Sequence, residues 1–191
     1  MLLNHIGTQT IETQRLILRR FEIADTHSVF QTWINDPEVQ NNYGEKACNT
    51  IDQAQQILEK WICSYNNNDF YRWTIILKET NENIGQIAFY LVDSENQRAD
   101  VEYCIGQAYW GNGYAPEALK AVIEYAFRYI YLNRVQAFHR SKNASSGKVL
   151  QKAGMSYEGT LKQYLIHKDE FDDCIMYAII RHEWTDKSVK R

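Results

Sequence analysis

Residues 106–127 read GQAYWGNGYAPEALKAVIEYAF, two glycines and a proline set directly ahead of a run with the spacing of an amphipathic helix. The residues before it, ADVEYCIG (99–106), read as a strand, and those after it, RVQAFHR (134–140), as another. A strand–helix–strand run of this kind requires a crossover between two parallel strands. Two such strands in the middle of a sheet can splay apart. Pro116 fits the first helical position, where the missing N–H has no acceptor to lose, so the spacing predicts a helix from Pro116 to about Tyr129.

Outward from this core the remaining segments alternate between both periods. TQRLILRRF predicts a strand over about residues 12–21, with its arginines turned to solvent, and ADTHSVFQTWI (24–34) a short helix capped by Asp25 or Thr26. The polar stretch NDPEVQNNYGEKACN reads as a loop, and Thr50 caps a second helix carrying Ile51, Ala54, Ile57, Leu58, Trp61 and Ile62 at helical spacing. FYRWTIILK and IGQIAFYLVD, separated by ETNEN, form an antiparallel hairpin. ASSGKVLQKAG is a short helix ended by Gly154, and Tyr157–Trp184 holds two further strands. The sum is an α/β (α+β) domain spanning 1–191. It has a mixed, mostly antiparallel sheet of about seven strands with splayed parallel strands at its centre, flanked by about four helices.

With 191 residues, 45% hydrophobic and 24% charged, and only 2 prolines and 9 glycines, the chain suits one ordered domain rather than linkers or repeats. A net charge of -3 argues against nucleic acid or an acidic membrane as the general partner. The opening MLLNHIGTQT has no charged, apolar leader, and no segment has the apolar length of a membrane span, so a cytoplasmic protein is expected. Cys48, Cys63, Cys104 and Cys174 make no metal-type pair and read as reduced thiols; no metal site is expected.

The glycine turn lacks the G-K-[ST] of a Walker A loop, and Pro116 stands where G-x-G-x-x-G needs its last glycine. Loop amides and a helix N-terminus nonetheless present partial positive charge to an anion such as phosphate. A plain strand-to-helix turn using glycine for positive φ is the other reading of the same letters.

EYCIGQAYWGNGYAPEALKAVIEYAF resembles the central motif of the GNAT superfamily of acyl-CoA-dependent N-acetyltransferases, [QR]-x-x-G-x-[GA], beginning at Trp110. Trp110 departs from the usual Gln or Arg but is similar to the branch of bacterial ribosomal-protein N-terminal acetyltransferases. ETQRLILRRF, NASSGKVLQKAGMSYEGTL and FDDCIMYAIIRHEW resemble that branch in order, so the likeness runs from about residue 12 to 184. It implies acetyl-CoA as cosubstrate, with its pyrophosphate on residues Trp110, Gly111, Asn112, Gly113, Tyr114 and Ala115. The pantetheine arm is expected to pair as an added strand with Tyr103, Cys104 and Ile105. Asn143 resembles the family Asn that contacts the arm, or is a helix cap; Lys148 and Lys152 reach the phosphates or are surface lysines.

Acetyl transfer needs a neutral amine and a proton for the leaving thiolate. Glu102 and Asp100, two apart on one strand face, are the candidate bases, Glu102 preferred; a solvated edge or a pair with Arg98 is the alternative for it. The branch often carries Gly at the Glu102 position. Ser146 aligns with the Ser of the branch's N-x-x-S and is the candidate acid, or a cap; His139 is a third possibility. The acceptor is a primary amine, either the N-terminal amine of a ribosomal or other protein or a small amine such as a polyamine or aminoglycoside. It is expected between residues 35–50 and 163–171, where Asp36, Glu38, Glu45, Asp169, Glu170, Asp172 and Asp173 would attract it. A non-catalytic acyl-CoA-binding module and a homodimer are compatible with the same residues.

Overall fold

Two central strands, β5 (Arg98–Ile105) and β6 (Arg134–Arg140), run parallel, and they pair only over Arg98–Asp100 and Arg134–Gln136. Beyond Asp100 they diverge, and that gap organises the molecule. A computed structural model describes residues 2–184. Its single sheet has eight strands in the order β1-β2-β3-β4-β5-β6-β8-β7, with every pairing antiparallel except β5–β6. The other strands are β1 (Ile11–Glu12), β2 (Leu16–Arg19), β3 (Tyr71–Leu77), β4 (Glu82–Asp93), β7 (Ser156–His167) and β8 (Glu170–Ile180). The helices are α1 (Thr26–Val29), α2 (Pro37–Tyr43), α3 (Ile51–Ser64), α4 (Tyr114–Tyr125) and α5 (Ala144–Lys152).

The mixed sheet with a central splay matches the sequence expectation, with differences that have local causes. The segment read as one strand over 12–21 is two, because Thr13 turns the chain: its N–H donates to Leu16 O (3.0 Å), and its hydroxyl oxygen accepts from Leu16 N–H (2.9 Å). Its arginines are not simply solvated: Arg19 is paired with Asp25 (2.7 Å) and Arg15 with Glu117 (2.6 Å). The first helix is a continuous helical run from Ile23 to Ile34 with a tight first turn and a wide last one. Asp25 accepts from Glu22 N–H (2.9 Å) rather than capping α1. The loop expected after it holds α2. Asp36 accepts from Glu38 and Val39 N–H, Pro37 begins the helix, and Gly44 at φ 100° ends it.

Strand alternation sends opposite residues of β5 to two separate cores. Ala99, Val101 and Ile105 join the core under α4 and α5, where Trp73 and Tyr125 meet edge-to-face at 5.5 Å. Cys104 joins the second core, built by Phe21, Trp33, Ala54 and Leu58 beneath α1–α3. Ala118, Leu119, Val122 and Ile123 of α4 are fully buried. Burying side chains the size of the last three contributes about 1.5–3 kcal/mol each, enough to fix the crossover against the sheet.

Candidate active site

A cavity of about 310 Å3 lies beside the diverging end of β5. Tyr103, Cys104 and Ile105 line it from β5, Trp110, Gly111, Gly113, Tyr114 and Ala115 from the glycine turn, and Asn143, Ser146, Lys148 and Lys152 from α5 and its entry. Residues expected together from sequence are therefore brought to one place. Three are not on its wall. The Asn112 side chain folds back to the Tyr109 and Trp110 carbonyls (3.2 and 3.3 Å), while Asp100 and Glu102 face the other side of the sheet.

Helix α4 starts at Tyr114, with Gly113 as its N-cap at φ 80° and Gly111 also at φ 80°. Pro116 is thus the third helical residue, not the first; its absent N–H still lies in the first turn, where no intrahelical acceptor exists. The positive φ at both glycines is the local requirement the sequence signalled, and it turns the loop toward the cavity. The turn is braced from behind. Glu117 accepts from Thr13 Oγ1 (2.6 Å), Arg15 N (2.9 Å) and Arg15 Nε (2.7 Å), and Arg15 Nη1 donates to Asn112 O (2.9 Å). Burial pushes the Glu117 carboxyl up, but these donors outweigh it and hold the group below its ordinary range.

Gly106 N–H donates to Ile84 O (2.9 Å), which fixes the ladder phase: the backbone of Cys104 turns to β4, and that of Tyr103 and Ile105 turns into the gap. Trp110 Nε1 already occupies Ile105 O at 2.6 Å. Three strand groups are left facing the cavity: the Tyr103 N–H and C=O and the Ile105 N–H. On α5, Asn143 is the N-cap, accepting from Ser146 N (3.2 Å) and Ser145 Oγ (2.7 Å). The Ser146 hydroxyl lies 2.8 Å from Tyr103 Oη, whose pKa burial raises above the ordinary phenol value. His139 is buried under α5, where a Cβ on Gly147 would come within 2.6 Å of its Nε2, and it is not among the cavity-lining residues.

Glu102 does not pair with Arg98, which is taken by Asp93 (3.1 Å). Its Oε1 accepts from Arg72 Nη2 (2.7 Å) and Tyr43 Oη (2.5 Å), and Arg72 lies over the Trp61 ring at 4.5 Å. Burial, then the Glu102 carboxylate, holds the Tyr43 phenol well above its ordinary range, so it acts as a donor. Tyr43 was missed from sequence because α2 was read as loop; the Asp-Pro start and Gly44 were the available signals. Consecutive residues of α2 touch three walls: Asn41 meets Arg140 and His167, Asn42 O accepts from Asn143 Nδ2, and Tyr43 meets Glu102.

Two of the seven acids expected at the acceptor entrance are ion-paired within the protein, and three more accept hydrogen bonds from neutral N–H groups. Asp172 pairs with Arg140 and Lys142 (3.3 and 2.9 Å), and Glu170 with Lys142 (3.1 Å). Asp173 accepts from Gln163 N (2.8 Å), Asp36 caps α2, and Glu38 accepts from Gln107 (2.9 Å).

The profile of the Acetyltransferase (GNAT) domain family matches residues 15–156. The chain belongs to this family. It is 33% identical over 176 residues to an uncharacterized N-acetyltransferase, p20, of Bacillus licheniformis, covering 92% of this chain and 98% of that one. A GNAT-family acetyltransferase structure from Bacillus anthracis matches with TM-score 0.80 at 28% identity, covering 91% of this chain and 99% of that one. At 19% identity, a ribosomal L7/L12 α-N-protein acetyltransferase solved with coenzyme A shares the fold, with TM-score 0.80 and coverage of 90% and 98%. The protein is accordingly an N-acetyltransferase, and its mixed sheet is the GNAT sheet. All four cysteines are free thiols, with Cys63 exposed and the others buried. Among the described residues no cluster of His, Cys, Asp or Glu could hold a metal ion, and no helix is long and apolar enough to cross a membrane.

Proposed function

We propose that the enzyme transfers the acetyl group of acetyl-CoA directly to a primary amine within a ternary complex. The observation that carries this reading is the joining, in one cavity, of the positive-φ glycine turn with the unpaired edge of β5. The residues fit the cosubstrate. A pyrophosphate suits the turn amides and the N-terminus of α4, with Lys148 and Lys152 opposite, and an amide-bearing arm suits the open groups of Tyr103 and Ile105. Acetyl-CoA supplies an activated acyl thioester.

The protein's own residues do the rest. Arg72 and Tyr43 fix Glu102 Oε1, which leaves Oε2 to take the amine's proton through water. An α-amine, with a pKa of about 7.7–8.0, is already partly neutral near pH 7, so a weak base suffices and positioning contributes most. Ser146 Oγ, held by Tyr103, donates a proton to the leaving sulfur. The balance is one ammonium and one thioester giving one amide, one thiol and one proton.

The acceptor is a protein N-terminus or a small amine. Thiol release from acetyl-CoA in the presence of a mixed amine set, with mass spectrometry of the product, tests the reading. Turnover is expected, and Glu102→Gln and Ser146→Ala are each expected to lower kcat by about 10- to 100-fold with acetyl-CoA binding retained. Retained binding without turnover for any amine would leave an acyl-CoA-binding module in its place, and absent binding would sink both.

A further inference from the structure

On the face of the sheet opposite α4 and α5, beyond the cover of α2 and α3, three aromatic rings share a face with a buried carboxylate. Tyr90 is the extra residue of a bulge in β4, where Phe89 faces Val101 and Leu91 faces Asp100. Bulges re-aim side chains. Tyr90 remains 48% exposed beside Asp100 and Glu102. A second bulge lies in β7: Leu161 faces Cys174 and Leu165 faces Asp172, so Lys162, Gln163 and Tyr164 stand against Asp173 alone. Gln163 has φ 50°, and Tyr164 folds onto Phe138 of β6, edge to face at 5.5 Å.

Asp100, on this face beside Tyr90, is only 7% exposed. The cations nearest in sequence and register are engaged elsewhere, Arg98 with Asp93 and Arg134 with Glu158. Among the described residues Asp100 has no ion-pair partner; the Gln136 side chain hydrogen-bonds it. Burial penalises the Asp100 charge and holds its pKa above the ordinary range, a cost that Gln136, Arg98 and Arg134 offset only in part. An arriving ammonium would offset that cost, and aromatic faces attract the same charge.

We propose that Tyr90, Asp100, Phe138 and Tyr164 form the acceptor subsite, which takes a primary amine with one positive charge and an apolar, ring-sized body. The inference rests on the acetyl-transfer reading and narrows it. The subsite adjoins the Glu102–Tyr43 pair, and Tyr43 also lines the cosubstrate cavity, so a bound amine lies on a path to the thioester end. Within the subsite, among the described residues, Asp100 is the one carboxylate without an ion pair, since Glu102 is held by Arg72. A polycation would leave its second charge unmatched. Acetylation turns the ammonium into a neutral amide, removing its attraction to Asp100 and favouring release of product.

The chemistry is shared by a free arylalkylamine and by a peptide N-terminus with an apolar first residue. Initial rates of thiol release are measured with 2-phenylethylamine, a tripeptide beginning with leucine, and spermidine. The better of the first two is expected to exceed spermidine in kcat/KM by about 10-fold or more, and their ranking identifies the source. Tyr164→Ala and Tyr90→Ala, both at exposed positions, are expected to raise KM for that amine about 5- to 20-fold, with kcat and the KM for acetyl-CoA within about twofold. Spermidine equal to or better than both, or an unchanged amine KM in both variants, overturns the subsite. Absence of turnover with every amine overturns the acetyl-transfer reading itself, an outcome distinct from a reversed preference.

Discussion

Tyr103 joins two jobs at one position. Its backbone faces the gap between the parallel strands, while its side chain holds Ser146 Oγ at 2.8 Å and approaches Ser146 O at 3.2 Å. Because burial raises the phenol's pKa, it stays protonated and orients the serine proposed as acid. Tyr103→Phe keeps the ring and deletes about 1 kcal/mol of hydrogen bonding, so kcat should fall roughly fivefold with the KM for acetyl-CoA unchanged. In a Ser146→Ala background the same change should cost less, since the Oγ partner is gone and only the Ser146 carbonyl remains. Equal losses in both backgrounds would assign Tyr103 a purely structural role.

At the scale of elements, the β1–β2 turn is fastened to the start of α4 by Glu117, whose carboxylate collects three donors from Thr13 and Arg15. Its folded-state pKa lies below the unfolded value of about 4.3, so the stabilisation is present above that pH and is lost as pH falls through the folded pKa. Glu117→Gln should therefore lower stability by about 1–3 kcal/mol at pH 7, with the gap from the parent protein closing below about pH 4 in denaturant titrations. This brace was not legible in the sequence, because residues 13 and 117 carry no local sign of each other. The positive-φ turn was legible, since glycine spacing and a helix-start proline are local signals. Helix α2 fell between these cases. Its cap residues are local and readable, but only Val39 and Gln40 of the helix are buried, too few for an apolar stripe to announce it. The acidic entrance was legible only in part: the charges are plain in the sequence, while Arg140 and Lys142, which pair with Asp172 and Glu170, are brought to them only by the fold.

For the whole molecule, the mixed sheet followed from local patterns and one crossover argument, and the splay followed from the two parallel strands it requires. The register did not. Which backbone groups of β5 face the gap depends on the ladder with β4, and which acids are ion-paired depends on the pairing of β6 with β8. An open strand edge inside a folded domain exchanges its amide hydrogens readily unless a ligand covers it. Acetyl-CoA at about 100 times its Kd should stabilise the fold by about 2.7 kcal/mol and slow exchange at the Tyr103 and Ile105 amides far more than at Cys104, whose backbone is turned to β4. Hydrogen exchange resolved by residue checks this, and equal protection of all three amides would contradict the assigned register.

The two-sidedness of β5 also bears on how such an enzyme can diverge. Positions 103 and 105 face the cavity proposed for the acyl donor and positions 100 and 102 the opposite face, proposed for the amine, separated by the thickness of a single strand. Mutational drift at the even positions can change which amine is accepted while the handling of the common acyl donor is inherited intact. A one-residue insertion upstream in the strand would exchange the two sets together. Lineages built on this strand should therefore vary it by replacement and keep its length.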